Sequence, residues 1–299
     1  MGRVEKGIFL TVLAVFLISL GMMLFQSLED TDTPKVYHVS VLLDGAGEDY
    51  WRSFRQGVDR AARESNADVR FVTRYEEDTA QAQVEALKQE WEGETDGAVV
   101  IPVDGSQITA ALQEAPPGLK VVVAGPGLDS DRISCWVSAD NVEMGRRLAR
   151  AMAEGGAGAC AIVRTVVGGA ADQRMEGLTA ELDELGIPWQ VLGSGDALPQ
   201  EGAIAALTPG EAETLCTQAG AAGRVYGVGV SNSLLHYLEE GAAQALVIQS
   251  DYDAGYLSVL RLVGAMQGLS QDDVVLDCYT VTAENMFTDP VDQILFPVG

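Results

Sequence analysis

The stretch VSVLLDGAGEDYWRSFRQGVDRAARE, residues 39–64, decides how this chain is read. Residues 39–43 are an apolar run with Ser40 its one polar residue, the pattern of a strand buried on both faces of a parallel sheet. The run stops at Asp44, a short polar loop carries Glu48, and two adjacent aromatics, Tyr50 and Trp51, open a helix that runs to residue 64. In open α/β sheets, ligands sit just beyond the carboxyl ends of the strands. The loop therefore sets carboxylates and flat π-faces where a small molecule would lie. The two rings fit a second reading as well, packing between helix and sheet, because aromatics are often core residues.

The same alternation continues outward. Strand patterns at 69–73, 97–101, 121–124 and 134–137 are separated by helical patterns at 79–92 and 105–114, and Asp140 reads as the N-cap of a helix through residue 153. A second series has strands at 159–164, 189–192, 204–207, 225–230 and 245–249, with helices at 170–185, 210–219, 234–240 and 255–267. A last strand is read at 278–281. Alternation of this kind implies parallel sheets with helices on both faces. Two such series suggest two similar lobes with a crevice between them.

Before the first strand, residues 8–25 form an uncharged apolar run, preceded by Arg3 and Lys6 and followed by Glu29, Asp30 and Asp32. The run is long enough for one transmembrane helix, and the leading basic residues place its amino end in the cytoplasm. A cleaved signal peptide is the competing reading. The segment shows no small-x-small cleavage site and no cysteine for lipid attachment, which favours an uncleaved anchor. In either case the rest of the chain is expected to be extracytoplasmic: a single-pass membrane protein, or a secreted one if the segment is removed. Residues 1–28 are thus read as anchor or signal and 29–36 as a polar linker.

The chain has 299 residues, 47% of them apolar, and a net charge of −25. That is enough for two lobes with sizeable cores. The first 30 residues carry almost none of the charge excess, so the acidity belongs to the folded part. So acidic a surface repels phosphate backbones and argues against nucleic-acid binding. It does not hinder a neutral or cationic ligand. Cys135, Cys160, Cys216 and Cys278 are widely spaced, with no C-x-x-C, and read by default as buried free thiols; three pairings remain formally open. The only histidines are His38 and His236, which argues against a zinc site or a histidine-centred triad. No metal, no cofactor and no catalytic set is expected, and the chain reads as a non-enzyme. Gly168-Gly169 at a strand end reads as a tight turn, since no Lys-Ser or Lys-Thr follows to make a phosphate loop.

Six stretches in order carry a family resemblance: residues 39–62; DGAVVIPVDGSQI at 96–108; WVSADNVEMGRRLA at 136–149; DQRMEGL at 172–178; VYGVGVSNSLLHYLEEGAAQALVIQSDYDAGYLSV at 225–259; and YTVTAENMF at 279–287. Together they resemble the type I periplasmic sugar-binding proteins, of which ribose-binding protein is the familiar member, and the core of lac-repressor-type regulators. The absence of a helix-turn-helix before residue 37 sets the chain apart from those repressors. The resemblance implies two Rossmann-like lobes with parallel sheets, joined by a three-crossing hinge near Ser138, Gln249 and Cys278. The lobes would comprise residues 37–137 with 250–277, and 138–249 with 278–299.

Carried over residue by residue, the resemblance implies ligand contacts at Asp44, Glu48, Tyr50 and Trp51, with Gln249 as the hinge glutamine. At other contact positions the residue type departs from the family: Asp172 stands for an arginine, Ser231 for an aspartate, and Thr208 for an asparagine. The family's Asp-Arg pair is Pro126-Gly127 here, while Arg174 is retained. A guanidinium and an aspartate together fix a sugar's hydroxyl pattern, so their loss points away from an ordinary pentose or hexose. Asp44, Glu48 and Asp172 would leave the crevice acidic and favour a cationic ligand over an acid. Residues 193–203 are also too short for a helix that the family places there.

The function implied is capture of a small carbohydrate-like ligand, neutral or cationic, for a membrane transporter permease of the ABC type. A membrane-anchored sensor reporting to a partner such as a histidine kinase is the second reading. A fold that has lost its ligand and serves as an interaction surface is the third.

Overall fold

The computed structural model describes residues 2, 13, 15–20, 22, 35–43, 50–73, 79–218 and 220–297, and residues 1–36 and 37–299 make two separate units. In the first unit residues 15–20 are helical, with Val15, Phe16, Leu17 and Ile18 exposed. Most of the apolar run at 8–25 lies outside the described residues. Among the described residues no helix is long and apolar enough to cross a membrane.

The second unit begins with β1 (Tyr37–Leu42), α1 (Arg52–Ser65), β2 (Ala67–Val72), α2 (Ala80–Glu92), β3 (Gly97–Val100), α3 (Gly105–Leu112), β4 (Lys120–Ala124) and β5 (Cys135–Ala139). It continues with α4 (Asn141–Glu154), β6 (Cys160–Val163), α5 (Gly169–Glu184), β7 (Trp189–Leu192), β8 (Ala203–Ala206), α6 (Pro209–Thr217), β9 (Val225–Val228), α7 (Asn232–Glu239) and β10 (Ala243–Gln249). It closes with α8 (Asp251–Met266), β11 (Val274–Leu276), β12 (Cys278–Val281) and α9 (Val291–Leu295).

The strands form two six-stranded sheets, ordered β11-β5-β4-β3-β1-β2 and β12-β10-β9-β8-β6-β7. All pairings are parallel except β10 with β12. The chain passes between the sheets three times. After β5 it enters α4, whose Met144, Leu148 and Met152 join the core of the second sheet. After β10 it enters α8, whose Ala254, Val259 and Leu262 join the core of the first. It crosses again between β11 and β12.

Three elements differ from the sequence reading by more than a residue or two at their ends, one being the short helix α9, which that reading leaves without structure. The helix read at 255–267 begins four residues earlier, at Asp251, because the Ser250 side chain caps it by accepting from the Asp253 N–H at 3.1 Å. Strand β11, which the sequence reading leaves as loop, is three residues long and exists through its pairing with β5. Too short to show a period, it carries no local signal.

In each half a pair of helices meets on glycines. Between α1 and α8, a Cβ on Gly57 would lie 2.0 Å from the Tyr252 carbonyl oxygen, and one on Gly255 would lie 2.2 Å from that of Phe54. Between α4 and α5, Gly145 and Gly177 do the same against the carbonyls of Arg174 and Val142, at 2.0 and 1.9 Å. Only glycine allows backbones this close. These contacts set how the amino ends of the four helices are placed.

The four cysteines are free and buried. Burial pushes the Cys160 thiol up to about 12 and those of Cys135 and Cys216 up to about 11, so none is a thiolate at neutral pH.

Candidate functional site

The carboxyl ends of β5, β8 and β10 deliver one connected polar network. Gln249, the last residue of β10, accepts the Ala139 N–H at the end of β5 through Oε1 at 2.8 Å, so one side chain ties two crossing strands together. Its amide Nε2 donates to Asp251 Oδ1 at 3.3 Å. Across from it, Arg174 of α5 donates from Nε to Asn141 Oδ1 and from Nη1 to the Leu207 carbonyl, both at 2.8 Å. Asn141, buried at the start of α4, donates its own amide to Ser138 Oγ and the Ala139 carbonyl at 3.4 Å each.

Burial lowers the Arg174 pKa, while nearby Tyr50, Asp251 and Glu211 support its charge. Burial pushes Asp251 up to about 6; the Gln249 hydrogen bond and Arg174 oppose this only in part. A folded-state value above the ordinary 3.8 means that ionising Asp251 disfavours the folded form. The contribution of Asp251 to stability is then greatest at low pH and falls as pH rises from about 4 through about 6. Asp251→Asn is expected to flatten that decline and to raise the unfolding free energy near pH 7.5 by roughly 1–3 kcal/mol, the lower end being favoured by the partial exposure of Asp251. Urea titrations of both proteins from pH 4.5 to 7.5 check this, and parallel pH curves would refute it.

A buried acceptor organises the loops behind the network. Glu211 of α6 takes five donors. Its Oε1 accepts Thr165 N, Thr165 Oγ1 and Val166 N at 2.6, 2.7 and 3.2 Å, and its Oε2 accepts Leu207 N and Thr208 N at 3.1 Å each. In the first sheet, buried Gln83 plays a similar part. It donates to the carbonyls of Leu43 and Ile101 and accepts from Val103 N at 2.9 Å.

The residues singled out in the sequence divide three ways. Gln249 and Tyr50 belong to the network or face it. Tyr50 is half-buried, its ring 4.6 Å from that of Trp51 in an edge contact. Asp44 and Glu48 lie outside the described residues. The remaining four have other work. Trp51 is 6% exposed and packs edge-on against Phe54 within the core of the first sheet, so it is no open stacking platform. It stands at the N-cap position of α1, just before the helix. Thr208 caps α6, accepting from Glu211 N in a capping box, and Ser231 caps α7, accepting from Leu234 N while hydrogen-bonding Glu213. Asp172 pairs with Arg164 at 2.5 Å, which cancels the charge it was expected to add to the crevice.

Trp51→Ala is accordingly expected to cost about 3–5 kcal/mol of stability, read by urea denaturation. A loss below about 1 kcal/mol would contradict the core assignment.

The sequence reading missed Asn141 and Asp251 as site residues and left Arg174 without a role. Asn141 was visible in the quoted ADN turn. Asp251 was hidden by the late helix start. The assembled groups include a guanidinium, two amides, a carboxylate and a phenol, a set suited to several hydrogen bonds with a polyhydroxylated molecule. Among the described residues no cluster of His, Cys, Asp or Glu could hold a metal ion.

Residues 39–205 match the model of a family described as a periplasmic binding protein domain. A carbohydrate transporter solute-binding protein from Agrobacterium radiobacter, in complex with D-arabinose, is 17% identical with a TM-score of 0.73, covering 87% of this chain and 98% of its own. A solute-binding protein of an ABC transporter from Agrobacterium vitis, with bound D-fucose, is 19% identical with a TM-score of 0.76, covering 87% and 100%. One from Bacillus halodurans, with bound myo-inositol, is 19% identical with a TM-score of 0.70, covering 86% and 97%. No curated protein matches the sequence.

Proposed function

This chain belongs to the periplasmic binding protein family, a family of binders and not of enzymes, and from that premise we propose that it captures a small carbohydrate-like solute between two lobes outside the cytoplasmic membrane. The lobes are residues 37–137 with 250–277 and residues 138–249 with 278–299, and closure about the three crossings grips the ligand. The observation that carries this reading is the Gln249 bridge between β10 and β5, set beside Arg174, Asn141, Asp251 and Tyr50. A ligand reaching these groups touches residues on both sides of the crossings, so binding favours the closed arrangement. The sugars and cyclitol bound by the structural relatives support a polyhydroxylated ligand.

The apolar run at 8–25, led by Arg3 and Lys6, supports a single-pass anchor with the folded unit outside. A tethered binder works on a partner in the same membrane, because a short linker raises local concentration there. The relatives named as transporter components support delivery to an ABC permease. Signalling to an anchored sensor kinase is the second reading, favoured by the tether, since an anchored protein cannot diffuse as a free carrier.

A thermal-shift panel of D-arabinose, D-fucose, myo-inositol, D-galactose and D-glucosamine tests capture. A ligand at one hundred times its dissociation constant should stabilise the fold by about 2.7 kcal/mol. Tyr50→Ala and Gln249→Ala are each expected to weaken that binding at least about tenfold, a loss of 1.4 kcal/mol or more. No shift with any compound, or full binding by both variants, would defeat the proposal.

A further inference from the structure

Asp251 is the described carboxylate of this site with accepting capacity to spare. Glu211 is saturated by five donors, and Asp172 is matched by Arg164. Among the described residues Asp251 accepts only the Gln249 amide, at a long 3.3 Å. Arg174, the cation nearest in effect, has committed Nε and Nη1 to Asn141 and Leu207, and no ion pair joins it to Asp251 among the described residues. The carboxylate also stands at the first position of α8, directly after crossing strand β10. The helix amino end favours negative charge there. Burial holds it partly stripped of water with no full countercharge in return. A hydroxyl restores some of that lost interaction through one neutral donor. An ammonium restores more, through a charge-assisted hydrogen bond in a site partly screened from water.

Resting on the solute-capture reading above, we infer that Asp251 selects a ligand carrying a cationic amino group, an amino sugar or related polyhydroxylated amine, over its neutral counterpart. The other partners of the site accommodate the hydroxyls: Arg174 and Asn141 as donors, Gln249 as donor and acceptor.

Calorimetric titration of the full chain with two matched pairs tests this, D-glucose against D-glucosamine and D-galactose against D-galactosamine. Near pH 7 most of the amine is protonated. In at least one pair the amino sugar is expected to bind about tenfold or more tightly than the neutral sugar, and added salt should shrink the ratio. Asp251→Asn should bring the ratio to about one, and Asp251→Ala is the second variant should the first not fold. Equal affinity within each pair overturns the inference and leaves solute capture standing. So does a preference that survives in the folded variants. Wild-type protein that binds no sugar of either kind, these pairs and the thermal-shift panel included, defeats both.

Discussion

Leucine at Gly177 is expected to abolish cooperative folding, and alanine alone to cost about 3 kcal/mol or more. A Cβ at this position falls 1.9 Å from the Val142 carbonyl oxygen, 2.7 Å from its carbon and 3.0 Å from its Cα. Ordinary contact begins near 3.4 Å, and every atom met is backbone, so no side chain can swing away. The helices α4 and α5 would have to part. Leu178, Leu148 and Met144, at 0–2% exposure, lie in the core that this separation would open. A close-packed interior does not absorb such a gap. The same parting would pull Asn141 on α4 from Arg174 on α5, so any alanine variant that folds should also bind ligand less well. Urea denaturation provides the measurement. An alanine variant within about 0.5 kcal/mol of wild type would show that the helices do not meet as described.

Glu211→Gln is expected to be nearly as damaging, at about 3–4 kcal/mol, although it preserves shape. Each carboxylate oxygen accepts at least two donors. Glutamine keeps one oxygen and turns the other into an NH2 group that faces N–H donors. Buried donors are then left without acceptors, each at about 1–3 kcal/mol, and the bonds that remain lose their charge assistance. The loops from β6 to α5 and from β8 to α6, of which the first leads to Arg174 and the second carries Leu207, would loosen together. Thr208→Ala provides the scale, because losing that cap alone should cost about 1 kcal/mol. If the glutamine variant proves no less stable than the alanine one, the carboxylate does not staple these loops.

The residues of the site were readable to very different degrees. Gln249 is legible through the family resemblance, as its hinge glutamine. Tyr50 and Trp51 stand side by side in the sequence, yet one faces the network and the other is sealed in the core. Both stand in the turn before α1, and the sequence does not say which of two neighbouring turn residues meets the sheet. Thr208 and Ser231 sit at strand ends before helices, where a ligand contact and a helix cap use the same residue types. Asp172 reads as free negative charge until Arg164, eight residues earlier, is seen beside it. Asp251 was passed over because a polar residue beyond a strand does not announce that it opens a helix.

The order of residues by itself determined the α/β alternation, the apolar strands, the acidic surface and the family, since each is written in local periodicity or in short motifs. It did not determine the polar network. Gln249 meets Ala139 across 110 positions, Glu211 meets Thr165 across 46, and Arg174 meets Asn141 across 33. Those partners are chosen by how the helices pack on their glycines and where the chain crosses between sheets. Hydrogen bonds act over about 3 Å, so only the tertiary structure could decide which polar groups are matched within the fold and which remain for a ligand.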